Sequence, residues 1–272
     1  MKPILVFIPL LLLLSACGAP AEAPTLALTT APAAIPEPKT LTVFGAASLT
    51  NAFEEIGKAF EAANPGVTVE FNFSGSQTLR TQIEQGAQAD VFASANSKEM
   101  DALVAGDFVP ADSARIFLTN QLVVIMPADN PAGLTALADL TRPGLKIVLA
   151  AREVPVGNYA LQVLDNLDDA LGTGFKDKVL VNVVSYENDV KQVVAKVQLG
   201  EADAGLVYSS DAVAAPELQT IDIPEENNVA ARYPLAALTT SRNPELAQAF
   251  IAHVLSADGQ AVLQKWGFLP VQ

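Results

Sequence analysis

The sequence is poor in the residues that most enzyme active sites and metal sites require. Its 272 residues include one cysteine, one histidine and one tryptophan. A single cysteine can form neither an internal disulfide nor a cysteine-rich metal site. The one histidine, His253, falls in an amphipathic helical pattern, and the chain has no Gly-x-Ser-x-Gly elbow and no His-Glu-x-x-His pair. We therefore interpret His253 as structural and expect no enzymatic activity.

Positive charge is also scarce. The chain has 16 lysines and arginines against 30 aspartates and glutamates, which gives a formal net charge of −14. Such a chain is repelled by nucleic acid backbones and by anionic lipid surfaces, so we expect neither as a partner. Half of the sequence is hydrophobic (50%), which is enough for a substantial core.

The only long apolar run lies at the N-terminus, at residues 4–14, and it is too short to cross a bilayer as a helix. Because Lys2 precedes it, the run predicts an export signal. It ends in Leu-Ser-Ala-Cys, which resembles the bacterial lipobox, where a peptidase cuts before a cysteine that then carries lipid. We predict a signal peptide at residues 1–16 and, at residues 17–40, a lipidated Cys17 with an Ala- and Pro-rich tether. The protein should sit on the extracytoplasmic face of the cell membrane, attached through lipid alone.

From residue 41 onwards, short apolar runs alternate with amphipathic helical patterns, which predicts an α/β fold with mostly parallel sheets. In such folds, ligands bind beyond the carboxyl ends of the strands, where helix N-termini point. The predicted strands are residues 41–44, 67–73, 91–95, 122–126, 146–150, 179–184 and 205–208. The predicted helices include residues 156–167, 190–199 and two helices within 244–266.

Several predicted strands are followed by residues that open a helix. Ser48 and Ser76 follow the first two strands, and Val156 and Val190 open helices after two later ones. A helix N-terminus offers unpaired backbone N–H groups and the positive end of a dipole, so several together would bind an anion without lysine or arginine. Taken singly, each serine is more simply a helix cap.

Several segments after the tether carry a specific combination of motifs. They are TVFGAASLTNAF at 42–53, SGSQTL at 74–79, ADVFASA at 89–95, VPVGNYA at 154–160 and GLVYSSDA at 205–212, then Tyr233-Pro234 and Trp266-Gly267-Phe268. In the order and approximate spacing of these segments, the chain resembles the bacterial molybdate-binding proteins of ABC transporters. The resemblance covers nearly all of the chain after the tether.

This resemblance implies a two-lobed periplasmic-binding-protein fold of type II, in which the chain crosses twice between lobes. One lobe would comprise residues 41–119 plus 234–272, and the other residues 120–233. Each would be a mixed, mostly parallel sheet flanked by helices. The implied function is to bind molybdate between the lobes, as a monomer without a cofactor, and to deliver it to a membrane permease with a cytoplasmic ATPase.

The resemblance also implies the ligand contacts. Ser48 and Ser76 would bind through hydroxyl and backbone N–H, Val156 and Val190 through backbone N–H, and Tyr208 through its phenol. Molybdenum would be held only as the molybdate oxyanion. Family members often have alanine where this chain has Val156, a difference of little weight if the main chain makes the contact.

The chemistry of molybdate agrees with such a site. Molybdate is a fully deprotonated dianion at neutral pH, so its site needs donors only, whereas hydrogen phosphate benefits from a carboxylate acceptor. Asp189 could be that acceptor, but its place before Val190 predicts a helix N-cap. Arg80 could neutralise an anion, but it is better interpreted as a solvated surface charge. Ser74 is an alternative to Ser76.

Other functions stay open at this point. Tungstate is the nearest rival ligand and sulfate a less favoured one, because the same donors suit any tetrahedral dianion and the size of the cavity decides. An extracytoplasmic hydrolase and a ligand sensor for a signalling partner are the alternatives from other classes.

Overall fold

Two five-stranded sheets, each flanked by helices, form the fold. A computed structural model describes residues 38–271. The predicted signal peptide, Cys17 and most of the tether lie outside the described residues. The strands are β1 (Lys39–Ala46), β2 (Val67–Ser74), β3 (Val91–Ala93), β4 (Arg115–Asn120), β5 (Leu122–Met126), β6 (Ile147–Ala150), β7 (Val183–Glu187), β8 (Ala204–Tyr208), β9 (Gln219–Asp222) and β10 (Ala231–Ala237).

Helices alternate with these strands along most of the chain, as predicted for an α/β fold. They are α1 (Thr50–Ala63), α2 (Ser76–Glu84), α3 (Ser97–Ala105), α4 (Pro155–Leu171), α5 (Phe175–Val181), α6 (Val190–Gln198), α7 (Ser209–Ala214), α8 (Pro244–Leu255) and α9 (Ala257–Lys265).

The first sheet has the strand order β2-β1-β3-β10-β4, and the second has the order β7-β6-β8-β5-β9. In the first, β1 pairs in parallel with β2 and β3, while β10 runs antiparallel to β3 and β4. In the second, β6 pairs in parallel with β7 and β8, while β5 runs antiparallel to β8 and β9. The sheets are mixed, as predicted, but parallel pairings make up half of the pairings rather than most. The reversed strands β5 and β10 are each the first strand after the chain passes between sheets.

Burial follows from this layering. All residues of β5, β6 and β8 are buried, as expected for central strands covered on both faces. Helix α1 buries Phe53, Ile56 and Phe60, the face that its sequence pattern predicts. Phe250 of α8 packs edge-on against Phe53 and Phe60, with ring centroids 6.0 and 5.3 Å apart. These aromatic contacts bring α1 and α8 together beside the first sheet.

One predicted strand was wrong. Residues 179–184 were predicted as a strand, but Phe175–Val181 is helix α5, and the strand β7 begins only at Val183. Gly174, with a left-handed φ of 85°, turns the chain into this helix. Phe175 and Val179, one helical turn apart, face the core, whereas Val181 is 85% exposed. The buried residues Phe175 and Val179 follow a helical spacing, and tertiary packing overrides the strand propensity of the valines.

The chain passes between the sheets at two places. Strands of the second sheet lie between residues 122 and 222, and those of the first lie on either side of that stretch. The lobe boundaries predicted from the sequence fall close to these crossovers, although β10 begins at Ala231 rather than at Pro234. The division into lobes itself stays a prediction. Within residues 38–271, no helix has the length and apolar character needed to cross a membrane.

Candidate ligand-binding site

A small cavity lies between segments that belong to the two sheets. It is lined where strands end and helices begin, which is where the alternating pattern predicts a ligand site. The structure brings all five predicted ligand residues to this one cavity. Its lining residues are Ala46, Ala47, Ser48, Ser74, Gly75, Ser76, Ala95, Val154, Pro155, Val156, Asp189, Val190 and Tyr208.

Helix starts supply most of this lining. Ser76 is the first residue of α2 and Val190 the first residue of α6, while Val156 is the second residue of α4, after Pro155. Ser48 lies in the single 3-10 turn that leads into α1. Backbone N–H groups in a first helical turn have no partner within the helix. The cavity therefore faces several backbone donors and the positive ends of helix dipoles.

The two serines are not helix caps, contrary to the simplest interpretation of each alone. The N-cap of α2 is Gly75 and that of α1 is Leu49, and neither makes a side-chain capping hydrogen bond. Ser76 Oγ instead accepts a hydrogen bond of 3.0 Å from the backbone N–H of Ala95. Since that bond uses the oxygen as acceptor, the Ser76 hydroxyl proton is free to be donated.

Ser48 has a different partner. Its Oγ lies 2.9 Å from the phenol oxygen of Tyr233, and either atom can be the donor. Both residues are buried. Burial raises the pKa of Tyr233, so its phenol stays protonated at neutral pH. If Tyr233 donates to Ser48, the serine proton is left to point towards the cavity.

Tyr208 brings an unsatisfied donor to the cavity. Its side chain is 1% exposed, and its hydroxyl has no hydrogen-bond partner among the described residues. Burial is the main cause that raises its pKa well above the ordinary value, so the phenol remains a donor. Its ring packs edge-on against Tyr233, with centroids 5.7 Å apart. A buried polar group without a partner costs about 1–3 kcal/mol, a cost that an acceptor on a ligand would remove.

Of the two charged residues considered as alternatives, Asp189 lines the cavity and Arg80 does not. Asp189 caps α6, as predicted, by accepting a 3.0 Å hydrogen bond from the backbone N–H of Gln192. Arg80, interpreted from the sequence as a solvated surface charge, keeps 27% of its side chain exposed and pairs with Glu99 at 2.7 Å and with Glu84 at 2.6 Å. It does not reach the cavity. Among the described residues, the cavity lining contains no lysine and no arginine.

Sequence reasoning missed several residues that organise the site. Ala95 and Tyr233 both lie in segments quoted for the family resemblance, but their hydrogen bonds to Ser76 and Ser48 could not be foreseen from pattern alone. Gln77 was missed as well. Its Nε2 donates a 3.1 Å hydrogen bond to the backbone oxygen of Asn188, just before the start of α6.

Metal-ligating side chains form no candidate metal site in the part of the chain that the structure describes, and the one histidine has a clear packing partner. Within residues 38–271, no group of three or more His, Cys, Asp or Glu side chains is placed to hold a metal ion. His253, on α8, packs against the ring of Phe60, with centroids 5.6 Å apart. This contact with a core aromatic residue supports the interpretation of His253 as structural.

Comparison with known proteins gives the same family as the sequence resemblance. The molybdate-binding protein ModA of Mycobacterium tuberculosis is 41% identical over 231 residues, which cover 85% of this chain and 84% of that protein. The periplasmic molybdate-binding protein of Azotobacter vinelandii has a solved structure with a TM-score of 0.75 at 22% identity, covering 85% of this chain and 100% of that chain.

The solved structure of the sulfate-binding protein SubI from Mycobacterium tuberculosis is similar too. Its TM-score is 0.77 at 20% identity, and it covers 86% of this chain and 88% of that chain. At these identities the two structures show the fold alone, and they are named for different oxyanions. The family described as bacterial extracellular solute-binding protein matches residues 41–269. The chain therefore belongs to the bacterial extracellular solute-binding proteins.

Proposed function

We propose that this protein binds molybdate in the cavity between its two sheets and delivers it to the permease of an ABC importer. Tyr208 is the observation that supports this most strongly: a buried phenol without a partner in the described chain, at a cavity whose lining contains no lysine and no arginine. Ser48 and Ser76 would donate through hydroxyl and backbone N–H, and Val156 and Val190 through backbone N–H. No catalytic residue and no cofactor enter the proposal.

The hydrogen-bond donors around the cavity favour a fully deprotonated ligand over a protonated one. Molybdate presents acceptors on all four oxygens, so it can be satisfied by hydroxyl and amide donors. Hydrogen phosphate carries a proton that needs an acceptor, and the carboxylate in the cavity lining, Asp189, is held in its helix-capping orientation by bonds from Gln192 to both of its oxygens. A phosphate proton that this fixed carboxylate does not reach would cost about 1–3 kcal/mol, or roughly ten- to a hundredfold in affinity.

Tungstate has the same charge and geometry as molybdate, so we propose that it binds too. Sulfate is a smaller dianion that fits the same donor pattern, and the shared fold of sulfate-binding proteins keeps it as the second candidate. The 41% identity to a protein named for molybdate favours molybdate.

Titration calorimetry on the protein lacking its first 37 residues tests this proposal. Molybdate and tungstate should each bind at one site per chain, sulfate more weakly, and phosphate roughly ten- to a hundredfold or more below molybdate. Tighter binding of sulfate than of molybdate would replace molybdate with sulfate in the proposal. Failure of all four anions to bind would contradict it and favour a sensor or a hydrolase.

We also propose that Cys17 carries lipid and holds the protein on the extracytoplasmic face of the cell membrane, as a monomer. The lipobox-like residues before it support this. Cys17→Ser should shift the protein from the membrane fraction to the soluble fraction without changing its affinity for molybdate, because the tether separates the anchor from the fold. Retention of the variant in washed membranes would argue against a lipid anchor.

A further inference from the structure

Asp211 is a buried carboxylate that the proposed ligand contacts do not use. It lies on α7, shortly after Tyr208, and is 1% exposed. Neither of its oxygens has a hydrogen-bond partner among the described residues. Burial is the main cause that raises the pKa of this carboxyl, and the nearby Lys191 opposes that effect. A carboxylate in such a place needs a counter-charge, because an unpaired buried charge is strongly destabilising.

Lys191 provides that counter-charge and also contacts a residue of another helix. Its Nζ lies 3.2 Å from Asp211 Oδ1, at ion-pair distance but without the geometry of a hydrogen bond. The same Nζ donates a 3.3 Å hydrogen bond to Asn51 Oδ1. Asp211 and Lys191 belong to helices of the second sheet, whereas Asn51 is the second residue of α1, which packs beside the first. One ammonium group thus links elements of both sheets.

The position of this link relates it to the cavity. Lys191 directly follows Val190 at the start of α6, and Asn51 closely follows the turn that holds Ser48. Lys191 does not line the cavity itself, so it is not a proposed ligand contact. Its neighbour Asn188 receives the hydrogen bond from Gln77, a second contact between elements of the two sheets at the same helix start.

We propose that Lys191 is a positioning residue for ligand capture. Asp211 fixes the ammonium group of Lys191, and this ammonium group binds the Asn51 side chain. As a result, the start of α6 with Val190 and the turn with Ser48 face each other across the cavity. The inference rests on the proposed function. Losing the link to Asn51 should weaken ligand binding rather than folding, because it leaves the ion pair and the core contacts of α1 in place.

A double-mutant cycle on the full-length protein tests this role, with molybdate as the probe and affinity measured by calorimetry. Asn51→Ala should weaken molybdate binding about three- to tenfold and leave the melting temperature without ligand nearly unchanged. Lys191→Met should weaken binding at least as much. Combining the two should weaken it no further than Lys191→Met alone, because both remove the same contact.

Lys196 offers a matched control on the same helix. Its Nζ pairs with Glu187 Oε1 at 2.6 Å, so it too neutralises a mostly buried carboxylate, but both residues belong to the second sheet and its helices. Lys196→Met should retain wild-type affinity for molybdate even if its melting temperature falls. Weakening by Lys196→Met equal to that by Lys191→Met would show a general effect of charge and overturn the specific role of Lys191.

Lys191→Met leaves Asp211 without its counter-charge and can therefore fail to fold. The double variant Lys191→Met with Asp211→Asn removes both charges, so it should fold and bind about as weakly as Asn51→Ala. Wild-type affinity in both Asn51→Ala and this double variant would overturn the role of Lys191 while the proposed function stands. Absence of molybdate binding by the wild-type protein would overturn the proposed function, and with it this role.

Discussion

At the scale of single residues, the neighbours of the cavity hydroxyls decide what those hydroxyls can offer a ligand. The Ser76 oxygen accepts from Ala95, which leaves its proton for a ligand. For Ser48 the same outcome requires Tyr233 to be the donor of their shared hydrogen bond. Burial keeps the pKa of Tyr233 high, so this phenol retains its proton. Each serine can then present its proton to the cavity.

Tyr233→Phe tests that arrangement. Without the phenol, Ser48 can turn a lone pair towards the cavity, so molybdate affinity should fall about three- to tenfold while hydrogen arsenate, a protonated tetrahedral anion, loses less or gains. The ratio of the two affinities, measured by calorimetry at pH 8, is the informative quantity. Ser48→Ala is the control: it removes the donor altogether and should weaken molybdate roughly ten- to a hundredfold.

A purely structural role for Tyr233 would lower both affinities by the same factor. An unchanged ratio of molybdate to arsenate affinity in Tyr233→Phe, with both weakened, would therefore contradict the hydrogen-bond direction argued for Ser48.

At the same scale, the sequence identified the proposed ligand donors better than the residues that hydrogen-bond to those donors. Ser48, Ser76, Val156, Val190 and Tyr208 were predicted through the family resemblance, and the structure brings them to one cavity. Their supporting bonds join residues far apart in sequence, such as Ser48 with Tyr233, and no local pattern encodes such pairs. The roles of the five residues as ligand contacts stay predictions.

At the scale of elements, the starts of helices matter more than the side chains they carry. Val156 is the second residue of α4, and Pro155 occupies the first position, where a proline is well tolerated. A proline at Val156 would disfavour the helical conformation of Pro155, so it would disturb the helix start as well as delete a backbone donor. Substitution of side chains at Val156 is therefore expected to probe packing, since the residue is 1% exposed.

The prediction of helices and strands succeeded where the hydrophobic periodicity agreed with the turn residues that end an element. Helix α1 shows a clear apolar face and ends near Asn64-Pro65-Gly66, and its observed range matches that pattern. The error at residues 179–184 arose because Val179, Leu180 and Val181 read locally as a strand. Only the packing of Phe175 and Val179 in the core reveals a helix there.

At the scale of the whole molecule, the α/β class followed from the sequence pattern, and the two mixed sheets followed from the family resemblance. The direction of β5 and β10 did not, because strand direction depends on where the chain crosses between sheets, and no local signal marks the crossovers at residues 120–122 and before residue 231. The cavity depends on those crossovers, since they place α4, α6 and β8 opposite the starts of α1 and α2.

The most direct test of the account is anomalous X-ray diffraction, above the molybdenum absorption edge, from crystals grown with molybdate. The account predicts one strong molybdenum peak inside the cavity, with ligand oxygens about 2.7–3.2 Å from the proposed donors. Those donors are the hydroxyls of Ser48, Ser76 and Tyr208 and the backbone nitrogens of Val156 and Val190. A peak at another site, or no peak in the cavity of a protein that binds molybdate in solution, would contradict it.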